Sequence, residues 1–268
     1  MINRKEDEYM GFTSRELLPG VHHIEDCMGV CFTLIVGTSR ALLVDAGYGF
    51  EDVAAFVRGL TQLPVTLWLS HAHHDHALGA RWFDAVRLHP DERPLYKEYQ
   101  SEHWTDHVLE GAREQGICVD EAAWRARPMP APEALPGEVI DLGGLSAHIL
   151  PCPGHTPGSV VFWIPERKLL LTGDDWNPCT WLFFPEALPV VQYRENVKEL
   201  LSLPFEHVLC PHRTTLYSRE TLEAFLNGLT DETIASATTV DTGVPFGIHT
   251  REAALPEGQT LVFDAEKA

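Results

Sequence analysis

Positive charge is scarce in this chain. Its 268 residues carry 20 lysines and arginines against 39 aspartates and glutamates, a formal net charge of −19. The basic residues form no run, and nucleic-acid affinity rests on Lys and Arg neutralising phosphates, so nucleic acid is excluded as a main partner. Docking on an anionic membrane surface is excluded on the same ground. Long apolar runs are missing too. No stretch approaches the ~20 apolar residues that span a bilayer. The opening MINRKEDEY lacks the apolar core of a secretory signal, so the cytoplasm is the expected compartment. None of the six cysteines, at 27, 31, 118, 152, 179 and 210, belongs to a C-x-x-C pair, which excludes a zinc ribbon. They are expected as free thiols, with Cys152 and Cys210 buried in apolar, strand-like runs. Internal repeats and low-complexity segments are absent as well. With 44% hydrophobic residues, a chain of this length buries a full core without staples.

Histidine, by contrast, is plentiful: fourteen residues, unevenly placed. The surrounding pattern alternates strands with helices. Residues 1–16 are polar and expected to fray. Strand signals follow at Val21–Asp26, and at Cys31–Val36 and Ala41–Val44 across a turn-rich spacer, ending in Asp45-Ala46-Gly47. Apolar residues at 53, 56, 57 and 60 predict a helix over Glu51–Leu60. Val65–Leu69 reads as a strand covered on both faces, running straight into Ser70-His71-Ala72-His73-His74-Asp75-His76, after which a short helix and a strand at Ala85–His89 are expected. Residues 90–137 differ in character. Glu92–Gln115 is predicted helical, with Tyr96, Tyr99, His103, Trp104, His107 and Trp124 nearby, and a Pro-rich stretch closes the segment as a cap-like insertion. Strands return at Glu138–Asp141 and Leu145–Leu150. A hairpin of Ser159–Ile164 and Lys168–Leu171 ends in Thr172-Gly173-Asp174-Asp175, followed by an aromatic loop from Trp176 to Pro185. Helices are predicted at Tyr193–Leu203 and Ser218–Leu229, with a strand at His207–Cys210 between them. Weak strand signals mark Pro245–His249 and Thr260–Phe263.

The chemistry is concentrated at 71–76. In extended backbone, residues two apart point the same way, so His71 and His73 can reach one cation from one strand end. Where the chain then turns, Asp75 and His76 can face a neighbouring point, while His74 points away. Imidazole nitrogen with carboxylate oxygen suits zinc, iron or manganese. Chance produces such a cluster in roughly two chains per thousand of this composition. His155, Asp174 and His212 share a position: each lies just past a predicted strand, in a loop bearing Gly or Pro, where layered α/β proteins gather ligands. Taken singly, His155 reads equally as a turn residue, Asp174 as a helix cap and His212 as a capped core residue.

Taken together these residues carry a family's motifs in family order. The H-x-H-x-D-H motif stands at His71, His73, Asp75 and His76, G-H-T-P-G at Gly154–Gly158, T-G-D at Thr172–Asp174, and a final histidine at His212. Asp45-Ala46-Gly47 matches a D-x-G turn. Over roughly Leu17 to Leu229 the chain resembles the metallo-β-lactamase-fold hydrolases. The resemblance implies an α/β fold, a four-layer αββα sandwich of two mixed sheets flanked by helices. The domain would span 17–230; the chain's own additions to it, which match no family feature, are read as a helical cap at 90–137, a polar segment 1–16 before the domain and an extension, 231–268, packed on the same domain. The resemblance implies two divalent ions, zinc before iron or manganese. His71, His73 and His155 would hold one, Asp75, His76 and His212 the other, and Asp174 would bridge them. Asp45 would fix a ligand imidazole through its other ring nitrogen. One departure stands out: many members have two glycines after the motif, and here Leu78 replaces the first while Gly79 keeps the second.

Two such ions can share a water whose pKa falls towards neutrality. The expected activity is therefore hydrolysis of a small ester, lactone or thioester by a metal-bridging hydroxide, with Asp174 or Asp75 shuttling the proton. A bridging carboxylate resembles the lactonase and hydroxyacylglutathione-hydrolase types rather than antibiotic-degrading β-lactamases. The alternative from another class is a mononuclear iron oxidoreductase of the persulfide-dioxygenase kind; a phosphodiesterase or a β-lactamase on the same fold ranks lower. The chain's acidity favours a neutral or singly charged substrate. His103, Trp104 and His107 in the insertion, and Trp176, Trp181, Phe183 and Phe184 in the aromatic loop, are candidates for the pocket wall, with a core or homodimer contact as the competing reading. Arg213 is a candidate for orienting a substrate carboxylate. Asp175 reads as a solvated or capping carboxylate.

Overall fold

A polar strand opens the described chain where fraying was expected. Thr13–Leu18 (β1) pairs antiparallel with Val21–Glu25 (β2), its polar residues tolerated because it forms a sheet edge. The computed structural model describes residues 11–133, 139–243 and 247–268. They fall into two units, Met1–Ala147 with Pro211–Thr214, and His148–Cys210 with Thr215–Ala268.

The first unit is built on a seven-stranded mixed sheet. β2, Cys31–Val36 (β3) and Ala41–Val44 (β4) continue the antiparallel run. A helix over Val53–Leu60 (α1), capped by Asp52 accepting from the Ala55 amide, then crosses to Val65–Trp68 (β5), which pairs parallel with β4. Val44 stands opposite Trp68, so the two strands end level and the chain leaves β4 at Asp45 beside the exit from β5 at Ser70. The short helix His74–Ala77 (α2) follows, then a 3-10 turn at Leu78–Trp82 and the parallel strand Val86–Arg87 (β6). The core between sheet and α1 holds Ile24, Phe32, Leu34, Leu43, Phe56 and Leu67, all buried.

The insertion is not one helix over Glu92–Gln115. It breaks at residues 99–101 into Arg93–Glu98 (α3) and Glu102–Glu114 (α4, capped by Ser101), followed by Glu121–Ala126 (α5). Pro132–Glu133 (β7) then adds a parallel strand beside β6. A small core of Leu78, Val108, Leu109 and Trp124 attaches these helices. Leu78, at the family's missing glycine, is therefore an anchor for this chain's own insertion. Arg81 reinforces it from beneath. Its guanidinium lies 3.5 Å from the Trp124 ring centroid and donates to the carbonyls of Leu78 (2.9 Å) and Trp124 (2.7 Å). Val139–Asp141 (β8) leads through Gly143 and Gly144 into Ser146–Pro151 (β9), which enters the second unit.

In the second unit β9 pairs antiparallel with Val160–Ile164 (β10), and β10 with Leu169–Leu171 (β11). Cys179–Leu182 (β12) and the helix Val190–Glu199 (α6) follow, before His207–Leu209 (β13) lies parallel to β11 and Tyr217–Ser218 (β14) closes that order. After the helices Arg219–Gly228 (α7) and Asp231–Ser236 (α8), Thr238–Thr239 (β15), Thr250–Ala254 (β16) and Thr260–Asp264 (β17) form a separate four-stranded sheet with β12. The strand expected at Pro245–His249 lies partly outside the described residues; pairing starts at Thr250. Val161, Leu170, Val208, Phe225 and Phe263 fill this core, and so does Trp176, fully buried. Trp176 is accordingly a core residue and not a pocket wall, and its neighbour in the loop, Phe183, is buried as well. Cys152 and Cys210 are buried free thiols, as expected. Among the described residues no helix is long and apolar enough to cross a membrane.

Candidate metal centre

The level ends of β4 and β5 bring Asp45 against Ser70, and a relay of hydrogen bonds begins there. Asp45 Oδ1 accepts from the Ser70 amide at 2.7 Å, and Oδ2 accepts from Ser70 Oγ at 2.8 Å. With its proton committed to Asp45, Ser70 Oγ accepts from His71 Nδ1 at 3.0 Å. Asp45 Oδ2 also receives His76 Nδ1 at 3.1 Å. One carboxylate thus sets the tautomer of two imidazoles, directly for His76 and through Ser70 for His71, and leaves the lone pair of each on Nε2. Asp45 does this from a left-handed backbone, φ +63°, which aspartate and asparagine adopt more readily than other residues with a side chain.

His73 precedes α2 and is buried with its ring centroid 4.7 Å from that of His71. Asp75 lies within α2, and the loop Pro211–Thr214 of the same unit carries His212 to it. Asp75, His76 and His212 each offer a ligand atom within 4.8 Å of the others. Asp75 Oδ2 is 3.4 Å from His76 Nε2 and 3.6 Å from His212 Nε2. Two imidazole nitrogens and a carboxylate oxygen thus oppose one another across gaps of 3.4 and 3.6 Å. A divalent cation resolves that opposition, so the donor set fits a metal. Burial alone would raise the Asp75 carboxyl, but His76, by charge and hydrogen bond, holds it well below the usual carboxylate range. It is ionised, the state a ligand needs.

The second unit repeats the arrangement on a smaller scale. His155 Nδ1 donates to the Trp181 carbonyl at 2.6 Å, which places the lone pair on Nε2, 3.6 Å from Asp174 Oδ2. Of the two readings of Asp175, solvated or capping, the structure shows the capping one. It is buried, and its Oδ1 accepts from the His155 amide at 3.0 Å. Its own carbonyl accepts from the Tyr193 hydroxyl at 2.6 Å, so α6 steadies the loop that bears both Asp174 and Asp175.

The region from Asp26 to the end of the second loop matches a known family. Residues 26–212 fit the metallo-beta-lactamase superfamily. The chain belongs to that superfamily. The acyl-coenzyme A thioesterase MBLAC2 of Gallus gallus is 26% identical over 211 residues, covering 70% of this chain and 74% of that one. The hydroxyacylglutathione hydrolase of Chelativorans sp. (strain BNC1) is 31% identical over 121 residues, 42% of this chain and 46% of that one. A solved structure described as TTHA1623 in a di-iron-bound form is 28% identical at a TM-score of 0.54, covering 73% of this chain and 92% of that chain. The resemblance read from the motifs is thereby borne out, including the α/β fold of mixed sheets with flanking helices. As a metallo-β-lactamase superfamily member with hydrolase-named relatives, the chain is an enzyme of the metal-dependent hydrolase kind.

Several supporting residues of this superfamily member gave no recognisable signal in the sequence. Glu92 is wholly buried and accepts from the Ala72 amide at 2.9 Å, holding the backbone between His71 and His73. Asp26 is buried beneath the Asp45 turn, accepting from the amides of Met28, Val30 and Tyr48. Burial pushes its carboxyl up to about 6 even though those amides favour the ionised form. His74 turns away from the cluster, as expected, and stacks on Tyr99 with centroids 5.4 Å apart and Trp104 at 5.6 Å. Burial pushes the His74 imidazole down to about 4, so it is neutral at pH 7. His107 lies against Trp104, while Arg213 is exposed and donates to the His212 carbonyl.

Asp45→Asn tests the relay. Asparagine tolerates the left-handed backbone, but its amide donates where the carboxylate accepted. Ser70 Oγ then turns to donate to His71, and His76 Nδ1 loses its acceptor. Metal affinity is expected to fall about 10–100-fold with little change in the unfolding of the metal-free protein. Unchanged affinity in a zinc titration would show that Asp45 does not orient these imidazoles.

Proposed function

We propose that this protein is a dinuclear metal-dependent hydrolase of small thioesters, with esters and lactones as secondary substrates. The observation that carries the reading is the approach of Asp75 Oδ2 to two imidazole nitrogens, one of them His76 Nε2 in a tautomer that Asp45 sets. In this reading His71, His73 and His155 hold one ion, Asp75, His76 and His212 the other, and Asp174 contributes to both. Bound, the ions would polarise the substrate carbonyl and bring the pKa of a water towards neutrality. The chain's own part is then orientation and proton handling. Asp45, Ser70 and the Trp181 carbonyl keep the imidazole lone pairs on Nε2, and the carboxylate of Asp174 or Asp75 takes the proton from the attacking water and returns it to the leaving thiolate.

Thioesters are favoured because the named relatives include an acyl-CoA thioesterase and a hydroxyacylglutathione hydrolase. Within that class the net charge of −19 favours the less anionic leaving group. The rings of Tyr99, Trp104, His103 and His107 form a run beginning at His73, whose centroid is 5.3 Å from that of Tyr99, and this run is the proposed wall for the acyl group. Trp181, 38% exposed, and Phe184 are further candidates for that role.

The test is metal analysis joined to a substrate panel. Protein loaded separately with zinc, manganese and iron is expected to retain two ions per chain. It should hydrolyse hydroxyacylglutathione faster than acyl-CoA at low ionic strength, and the acyl-CoA rate should rise as salt screens the repulsion. One iron per chain with oxygen uptake and no hydrolysis would replace this reading with the dioxygenase one. Equal and salt-insensitive rates on both thioesters would remove the charge argument.

A further inference from the structure

His212 differs from the other histidines of its cluster in what supports it. His71 lies just past the end of β5 and His76 within α2, while His212 sits on the four-residue stretch Pro211–Thr214, which joins the first unit without belonging to any of its strands. Two bonds from the sheet hold this stretch. The Cys31 amide donates to the Pro211 carbonyl at 2.5 Å, and His23 Nε2 donates to the Arg213 carbonyl at 2.9 Å. The two accepting carbonyls flank His212 on either side.

His23 is itself fixed. It lies on β2 opposite Thr33 of β3, both are buried, and its Nδ1 is 3.0 Å from Thr33 Oγ1. A carbonyl only accepts, so Nε2 must carry the ring proton and Nδ1 accepts from the threonine hydroxyl. The ring is locked in orientation and tautomer by one partner and uses the other nitrogen to hold the loop.

We propose that His23 is a positioning residue for His212: through the Arg213 carbonyl it fixes the loop backbone so that His212 Nε2 stands 3.6 Å from Asp75 Oδ2. This rests on the two-ion reading only for its consequence, the affinity of the ion assigned to Asp75, His76 and His212. The strap itself is independent of any ion.

Two amide substitutions separate its halves. Asparagine at 23 places its amide near the Nδ1 position, so His23→Asn keeps the Thr33 contact and loses Arg213. Glutamine reaches the Nε2 position, so His23→Gln restores donation to Arg213. Hydrogen exchange on metal-free protein should show the Cys31 amide, which donates to the Pro211 carbonyl, and the amides of residues 212–214 exchanging about tenfold faster in H23N, with H23Q near wild type. Cobalt titration followed by its visible absorption should show the second equivalent binding about 10–100-fold more weakly in H23N and recovering in H23Q. Equal behaviour of the two variants, or wild-type exchange in H23N, would overturn the proposal and leave His23 a packing residue. Should wild-type protein take up a single ion, the two-ion reading fails, and the exchange data alone decide for or against the strap.

Discussion

Asp174→Ala should reduce hydrolysis by more than about a hundredfold, beyond what loss of a merely supporting partner costs. The expectation follows from how the second unit presents this carboxylate. Asp174 lies in the 3-10 turn Gly173–Asp175 directly after β11, 8% exposed, with Oδ2 3.6 Å from the lone-pair nitrogen of His155. Everything around the pair is arranged to keep it there: Trp181 receives His155 Nδ1, Asp175 receives the His155 amide, and Tyr193 anchors the Asp175 carbonyl. Burying a carboxylate costs several kcal/mol of desolvation, which offsets what its contacts return to the metal-free fold. Metal-free Asp174→Ala is therefore expected to unfold no earlier than wild type while metal uptake and turnover both fall. Asp174→Asn, which keeps one ligating oxygen but loses the charge, should fall between the two. Wild-type turnover of D174A at saturating zinc would remove Asp174 from the reaction.

The same environment explains which parts of the site are legible in the sequence. The run from His71 to His76 is legible because it joins an alternating pattern to a strand end, and side chains two apart in extended backbone share a direction. Asp45 is legible through its D-x-G turn. Ser70 is not, because its role depends on a hydroxyl proton committed to Asp45 across 25 residues, and nothing local distinguishes it from any loop serine. Asp175 is half legible for a similar reason: its sequence position leaves solvated and capping readings open, and only the His155 amide, distant in sequence, decides for the cap. Trp176 misleads because aromatics serve cores and pockets alike, and only its burial against Tyr217 and its neighbours decides for the core. The polar composition of β1 hides a strand that needs no apolar face at a sheet edge. His23 does carry a faint signal, a histidine on the same face of a short strand as Val21, where burial makes a partner obligatory.

Gly79→Ala is the substitution expected to disturb fold and site together. A Cβ at position 79 would lie 1.9 Å from the Ala46 carbonyl oxygen and 2.8 Å from Ala46 Cβ, distances that require the backbone itself to move. The neighbourhood leaves it nowhere to go. The Gly79 amide donates to the Gly47 carbonyl and the Ala46 amide to the His76 carbonyl, both at 2.9 Å, so the Asp45 turn and the end of α2 are laced to each other. Behind the turn, a Cβ at Gly47, φ +65°, would meet Asp26 Oδ2 at 2.5 Å, so that side is closed as well. Forced separation of the two segments costs about 3 kcal/mol, at the upper end of ordinary overpacking, and lowers the melting temperature by about 6–12 °C. Separation also carries Asp45 away from His76 and Ser70, so metal affinity should fall in the protein that remains folded. Here the family's first glycine and its second part ways. Leu78 points into the insertion's own core and is free to be large there, whereas position 79 faces the Asp45 turn and has no room for even a methyl group. Leu78→Gly should accordingly loosen α4 and α5, seen as faster proteolysis between 99 and 127, while leaving metal uptake close to wild type. A Gly79→Ala protein with an unchanged melting temperature and metal affinity would show that the turn yields more easily than this packing allows.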